Sequence, residues 1–424
     1  MRLFTFFIIS VFFAQFYNVK AQQGFVIDHR HTDIHQIPDN WIDSAKQKLK
    51  IRYFRRSHGS QVDVGGMAAL RRYSAAYNQL YAYNKTGVDG ELFLSTQSSA
   101  EWNSLDFEND TWVQITKDYL DDPANANINV VMWAWSSKFY LCSAQQYVDD
   151  MESLIGIYGP NGSKIQNGER SVPVTFIFQT ACGQASSERN QKVYEGNQII
   201  RQHCFDNNRI LFDFNDIECY DPDGNYYGDG KPDGSYTNER MLADDISYIS
   251  DSTNVSVHSG RGNWGIEWMN RNPDVELTKL AADNICTVCE HSDQRESPDE
   301  DNSRLHCVLK GRAAWWMWAV LAGWDEGMTP TSIEKKSSDI NSEDLKNYPN
   351  PFNSQTIIAY KLVKNAHVKL EIWNAQGQLV KSMVDKNQAK GKYEVPVLLD
   401  KEGMYFYTLT VDDKRISKKM IKID

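Results

Sequence analysis

The chain has 424 residues, 45 Lys/Arg against 56 Asp/Glu, a formal charge of −11, and a 41% hydrophobic composition. That length holds two or three domains and a core large enough to be stable without staples. The acidic surplus disfavours nucleic acid as a partner.

The first stretch, "MRLFTFFIISVFFAQFYNVKAQQ", carries an early arginine, an apolar run from Leu3 to Phe13 and a small-residue end at Ala21. This is the pattern of a secretory signal peptide over residues 1–21, cleaved after Ala21. The run is shorter than the ~20 residues a spanning helix needs. No later segment is apolar for long enough to span, so the mature chain is expected to lack a transmembrane segment. Next comes "DHRHTDIHQIP". Read as a strand, it puts His29, His31, Asp33 and His35 on one face, an arrangement able to hold a metal; a solvated edge strand is the plainer reading.

From Gln22 to Trp324, apolar runs alternate with helical patterns. "KIRYF" (Lys50 to Phe54), "INVVMWAW" (Ile128 to Trp135), "VPVTFIFQT" (Val172 to Thr180) and "RILFDFNDI" (Arg209 to Ile217) read as buried strands. "GGMAALRRYSAAYNQLYAY", "AQQYVDDMESLIGIYG", "NQIIRQHCFDN" and "LKGRAAWWMWAVLAGW" read as helices. Two-sided apolar strands alternating with helices predict an α/β fold on a parallel sheet.

In such a sheet, ligands sit at the carboxyl ends of the strands. Ser57 follows the first of these strands, in "RRSHGSQVDVGG". Gly59, Gly65 and Gly66 permit a tight turn there, and the Gly59 N–H is a candidate oxyanion donor. Ser57 is thus a candidate nucleophile, or alternatively the cap of the following helix. A reactive serine needs a base in reach and an acid to orient that base. His291 and His306 are the histidines available ahead of the closing helix, and Asp293 or Asp216 can orient the first.

In "YDPDGNYYGDGKPDG", Asp221, Asp223, Asn225 and Asp229 fall at offsets 1, 3, 5 and 9 of a calcium loop. Tyr226 and Pro232 stand where an EF-hand has glycine and glutamate. The alternatives are a calcium site of another kind and a polar Gly/Asp turn. The seven cysteines are Cys142, Cys182, Cys204, Cys219, Cys286, Cys289 and Cys307. Export permits disulfides, and an odd number leaves one thiol over unless it joins another chain. Cys286 and Cys289 with Cys307, plus His291 or His306, also fit a zinc cluster.

Residues 325–346 are polar and rich in Ser, Asp, Lys and Pro, and read as a linker. Beyond it, from Leu345 to Asp424, the charge reverses to 14 Lys/Arg against 8 Asp/Glu, leaving −17 on the rest of the chain. Short alternating runs such as "TIIAYKLV", "HVKLEIWN" and "MYFYTLTV", separated by turn signals, predict a β-sandwich over 347–424.

Two resemblances add to this reading. "NYPNPFN", "VKLEIWNAQGQLVKSM" and "EGMYFYTLTVDDKRISKKMIKID" resemble, in order, the type A C-terminal sorting domain of the type IX secretion system of Bacteroidota. That resemblance implies an immunoglobulin-like sandwich, the type IX secretion machinery as partner, and passage through the periplasm to the cell surface or medium. The body resembles the SGNH/GDSL-like hydrolase superfamily in its order of elements. It is more closely similar to exported bacterial proteins sharing an S-H-G-S-Q segment, "IPDNWIDSAKQKL", "FDFNDIECYDPDG" and "KGRAAWWMWAVLAGW". This implies a flavodoxin-like sheet over 22–324, a serine esterase acting on acylated carbohydrate, and His291 as base because its loop precedes the last helix. The sequence departs from the superfamily in lacking a Gly-Asp-Ser triplet, a Gly-x-Asn after "VVMWAW" and an Asp-x-x-His before the last helix. Those departures point to the rival reading, a non-catalytic carbohydrate-binding or adhesion module on a hydrolase-like scaffold.

Overall fold

The computed structural model describes residues 24–88, 90–96, 111–141, 143–184, 186–231, 235–237, 239–243, 246–249, 261–282, 305–327, 345–362, 364–374, 379–411 and 414–423. The signal-peptide stretch, His291, Asp293, Cys142, Cys286 and Cys289 lie outside them. The chain divides into two compact units, 1–332 and 333–424.

The first unit is built on seven parallel strands: β1 (Val26–Ile27), β2 (Lys50–Arg55), β3 (Tyr83–Asn84), β4 (Leu92–Thr96), β5 (Val130–Ala134), β6 (Thr175–Gln179) and β7 (Ile210–Phe212), in the order β1-β7-β6-β5-β2-β4-β3. Taken in chain order as the first to the fifth, the central strands β2, β4, β5, β6 and β7 lie 2-1-3-4-5, the flavodoxin-like doubly wound order. β1 and β3 extend the two edges; a short helix α6 (Ser163–Gln166) precedes β6, and β8 (Ser247–Ile249) pairs with β9 (Arg261–Asn263) in a separate two-stranded sheet.

The strands are apolar on both sides because both faces are covered. One core joins Ile51, Tyr53, Met132, Ile177 and Phe212 to α1 (Asp39–Lys48), α2 (Ala68–Tyr73), α8 (Phe214–Cys219), α9 (Trp264–Arg271), α10 (Glu276–Ala282) and α11 (Leu305–Leu321). The other joins Phe54, Val131, Trp133, Phe178 and Leu211 to α4 (Thr111–Asp121), α5 (Ala144–Tyr158) and α7 (Ser187–Asp206). Although α11 is apolar on all sides and buries Trp315, Trp316 and Trp318, among the described residues no helix is long and apolar enough to cross a membrane.

Two sequence expectations change here. "RILFDFNDI" is a strand only to Phe212; the Asp213 side chain then accepts the Asp216 N–H and caps α8. The long helix expected over "GGMAALRRYSAAYNQLYAY" is broken. It opens as a π-helical turn over Gln61–Met67, and Ser74, extended and capping, separates α2 from α3 (Ala75–Leu80). The π-helical turn lies against α11 backbone to backbone. A Cβ on Gly66 would stand 2.0 Å from the Cys307 carbonyl oxygen, and one on Gly311 would stand 2.2 Å from the Gly66 carbonyl carbon. Only glycine fits either position.

α11 also carries charge into the core. Lys310 is fully buried, with Nζ 2.7 Å from Glu218 Oε1 and 2.5 Å from Gln61 Oε1. Glu218, equally buried, accepts the Gly183 N–H at 3.1 Å through Oε2. The Lys310 ammonium also lies 3.7 Å from the centroid of the Phe214 ring. One ion pair therefore ties the turn after β2, the loop after β6 and the helix after β7 to α11. At the head of α11, His306 is fully enclosed; burial drives its pKa well below the ordinary value, and Lys310 and His58 push the same way.

The second unit is a two-sheet, sandwich-like all-β structure. β10 (Lys346–Tyr348), β11 (Gln355–Leu362) and β14 (Gly391–Leu398) form one sheet. β13 (Leu379–Gln388), β12 (Ala366–Asn374), β15 (Gly403–Val411) and β16 (Lys414–Lys422) form the other. Alternate residues Ile358, Tyr360 and Leu362 meet Val368, Leu370, Ile372 and Leu409 in a shared core. The lysine-rich β16 is an edge strand, where charge discourages further strand pairing.

Two outcomes follow from the buried charges. Lys310→Met is expected to cost about 3–5 kcal/mol, because it strands the Glu218 carboxylate in the core. Lys310→Met/Glu218→Leu should recover much of that loss, and urea unfolding of the set measures both. The His306 shift works by refusing a proton in the folded state. Its contribution is complete above the unfolded pKa near 6.5 and is lost as pH falls below it, by up to about 1.4 kcal/mol per pH unit. Unfolding midpoints measured from pH 7.5 to 5 should fall less steeply in His306→Gln; an unchanged slope would refute this assignment.

Candidate functional site

The topology opens two crevices at the carboxyl edge of the sheet. After β2 the chain turns to the α11 face, whereas after β5 it turns to the α5 face. After β6 it again runs to the α5 face through α7, whereas after β7 it runs to the α11 face through α8. Adjacent strands whose connections leave on opposite faces leave a gap between them, and such gaps are where ligands bind in doubly wound sheets.

The β2/β5 crevice is where Ser57 lies. Its residue begins a single 3₁₀ turn, Ser57–Gly59, directly after β2, facing a second 3₁₀ segment, Ser136–Leu141, after β5. His58 is fully buried and lies close enough to His306 to help hold the His306 pKa down. Beneath the turn, Arg55 pairs with Asp63 at 2.9 Å, and the Tyr53 hydroxyl donates to the Gly59 carbonyl at 3.2 Å.

Gly59 does not serve as the expected oxyanion donor. Its N–H closes the turn onto the Arg56 carbonyl at 2.7 Å, and its α-carbon is pressed against Arg55, where a Cβ would approach the Arg55 Cβ to 2.5 Å. The residue is glycine for space. After β5, in the place expected for an oxyanion asparagine, Trp135 is buried and stacks on Trp133 with ring centroids 5.2 Å apart. Asp216 is likewise not free to orient a histidine at Ser57. It follows β7, three strand spacings from β2, roughly 14 Å away, and its Oδ2 is taken by His29. His291 and Asp293 lie outside the described residues.

The β6/β7 crevice has its own machinery, which the sequence reading missed. Asp213, at the end of β7, holds Arg201 of α7 through two contacts of 2.6 and 2.7 Å and accepts the Thr180 hydroxyl at 2.8 Å. Asp216 takes both the backbone N–H of His29, at 3.0 Å, and its Nδ1. Burial pushes the Asp216 pKa up, and the hydrogen bond from His29 opposes that shift. The His29 ring stacks on Tyr220, with centroids 3.6 Å apart and planes 15° from parallel. Among the described residues, His29 Nε2 has no hydrogen-bond partner. The signal available in sequence was His29 standing two residues after a short apolar pair, Val26–Ile27, which forms the edge strand beside β7.

The metal expectation for the histidine segment fails as drawn. The segment folds into two 3₁₀ turns, His29–His31 and Ile34–Gln36, capped by Asp28 and Asp33, so there is no strand face. His31 is buried against Asp28, and His35 reaches Glu276 at 3.2 Å. Among the described residues, Asp28, His29 and Asp216 are the group whose ligand atoms converge, within 4.8 Å. Asp28, however, is committed. Burial disfavours its charge, but hydrogen bonds from His31 and Arg30 outweigh that and hold its carboxyl well below the usual range.

The Asp/Gly loop does not gather its carboxylates around a cation either. Asp221 Oδ1 accepts the N–H groups of Asp223 and Asn225 at 3.0 and 2.9 Å, and Oδ2 accepts the Asn225 side chain at 2.9 Å. Asp229 accepts the N–H groups of Arg240, Met241 and Leu242 and the Asn190 amide. Each carboxylate organises a separate turn, which explains the spacing that read as a calcium loop. Asp223 is left exposed. Among the described residues, Cys182, Cys204, Cys219 and Cys307 are all buried, and burial pushes the Cys204 and Cys219 thiols up.

Several known proteins resemble parts of this chain. Dimeric latent PorU from Porphyromonas gingivalis is 22% identical over 19% of this chain and 9% of its own, with a TM-score of 0.17, so the match spans a small part of that protein. The Ig1 domain of mouse SynCAM 2 is 17% identical over 17% of this chain and 83% of its own, with a TM-score of 0.12. A modular endo-beta-1,4-mannanase from Cellulomonas fimi is 11% identical over 91% of this chain and 79% of its own, with a TM-score of 0.22. At such scores no common fold is established. No curated protein matches the chain. The decisive comparison is with a family model: residues 346–423 match the secretion system C-terminal sorting domain. The second unit is therefore a type IX sorting domain, and the protein is secreted and carried to the cell surface.

Proposed function

We propose that the first unit is an SGNH-like serine esterase acting on acylated carbohydrate outside the cell. The observation that carries this reading is the place of Ser57. It opens the turn after the first central strand of a 2-1-3-4-5 sheet, at the crevice between β2 and β5. Ligands of doubly wound sheets bind at such a point.

The chemistry asked of the site is acyl transfer. The Ser57 hydroxyl attacks the ester carbonyl while a histidine takes its proton; that proton then goes to the departing alcohol, and water releases the acyl group by the same route. His291 is the proposed base and Asp293 its orienting acid. His306 is the alternative base, although the burial and the Lys310 charge that keep it neutral also disfavour its taking up a proton. The oxyanion donors must be groups other than the Gly59 N–H, which its own turn consumes.

One observation favours a second reading. With Gly59 committed and Trp135 packed into the core, two donors of the usual hydrolase arrangement are absent from their expected places. A scaffold kept for binding or adhesion would show the same losses.

A fluorophosphonate probe is expected to label the wild-type chain at Ser57. Ser57→Ala should lose the label and roughly three orders of magnitude of ester turnover while melting at the same temperature. Wild-type protein that neither labels nor hydrolyses a panel of acetylated and feruloylated sugars favours the binding reading. Deleting 346–424 should leave the melting of the first unit unchanged yet hold the protein in the periplasm. Normal surface levels of the truncated chain would contradict the role of the tail.

A further inference from the structure

We infer that the β6/β7 crevice is a binding site for a neutral sugar residue, separate from the Ser57 crevice and independent of whether Ser57 reacts. A cavity of about 420 Å³ opens there, within the range of small-ligand sites. Its walls combine three tyrosines, Tyr194, Tyr220 and Tyr226, with Asn215, Asp216 and Arg201.

The charges select against ions. Arg201 is already neutralised by its double contact with Asp213. Asp229 is occupied by the N–H groups of Arg240, Met241 and Leu242 and by the Asn190 amide. That leaves Asp216 and Lys231 as opposite charges on the wall, so an anion would face Asp216 and a cation would face Lys231. What remains favourable is a ligand with hydroxyl groups and an apolar face. Asp216 Oδ1 accepts no hydrogen bond among the described residues, since its partners meet Oδ2. Asn215 offers its amide N–H₂, because its Oδ1 accepts from Arg201. Sugar hydroxyls satisfy both, and a sugar's C–H face suits tyrosine rings.

The loop Tyr226 to Lys231 is shaped to this wall. A Cβ on Gly228 would lie 2.4 Å from the Tyr226 hydroxyl, and one on Gly230 would lie 2.8 Å from the Tyr194 ring. Glycine lets the loop lie flat on both tyrosines. Tyr220 is held from behind by the stacked His29 ring.

The test is calorimetric titration of the full chain with tetrasaccharides of glucose, mannose, galactose, xylose and N-acetylglucosamine, beside galacturonate oligomers and inorganic phosphate. At least one neutral oligosaccharide should bind. Tyr226→Ala, at an exposed ring, and Asp216→Asn should each weaken that binding tenfold or more while the melting temperature shows both variants folded. Ser57→Ala should bind as wild type does, whether or not it abolishes hydrolysis. No binding by any neutral sugar, tighter binding of the acidic ligands, or unchanged binding in both crevice variants would overturn the inference.

Discussion

The fully buried Lys310–Glu218 pair is the constraint around which the first unit is arranged. Two charges taken out of water are tolerated only when each is fully hydrogen-bonded, and here Gln61, Gly183 and the Phe214 ring complete the shell. Those partners come from the turn after β2, the loop after β6 and the helix after β7. A shift in any of them would leave a charge without its partner. The pair thus fixes the carboxyl edge of the sheet, where both crevices open. The Gly66–Gly311 contact does the same work sterically, because it brings the π-helical turn and α11 to backbone distance just beside Lys310.

That arrangement sets apart two crevices of different character. The β2/β5 crevice is bordered by buried groups, His58, His306 and the paired Arg55 and Asp63. The β6/β7 crevice is open, half-buried and lined by side chains with spare hydrogen-bonding capacity. Chemistry favours the dry, preorganised site, whereas recognition of a hydrated polymer favours the wet one.

Much of this was legible in the sequence. The apolar runs of β2, β5 and β6, the helices α5 and α11, and the change of composition before the second unit all carried strong local signals. β1 and β4 did not: β1 is two residues long, and it holds its place by pairing with β7 rather than by its own pattern. "RILFDFNDI" misled because Phe214 and Ile217 continue an apolar run, while the capping Asp213 that ends the strand is inconspicuous. The calcium reading failed for a similar reason. Carboxylates spaced two apart suit a cation loop, but the same spacing suits Asx turns, and only the backbone partners of Asp221 and Asp229 distinguish them.

The His29–Asp216 contact shows what sequence spacing cannot supply. The two residues are 187 positions apart, joined because β1 enters the sheet beside β7 rather than beside β2. Had β1 paired with β2, His29 would stand near Ser57 and Asp216 would be free to serve another histidine. The strand order therefore decides which acid meets which base, and it assigns Asp216 to the β6/β7 crevice. The sorting domain depends on such long-range pairing less. Three of its strand pairs, β10–β11, β12–β13 and β15–β16, join neighbours in sequence, and β11 buries every second residue, a pattern readable locally; the β11–β14 and β12–β15 pairings that complete the two sheets are not.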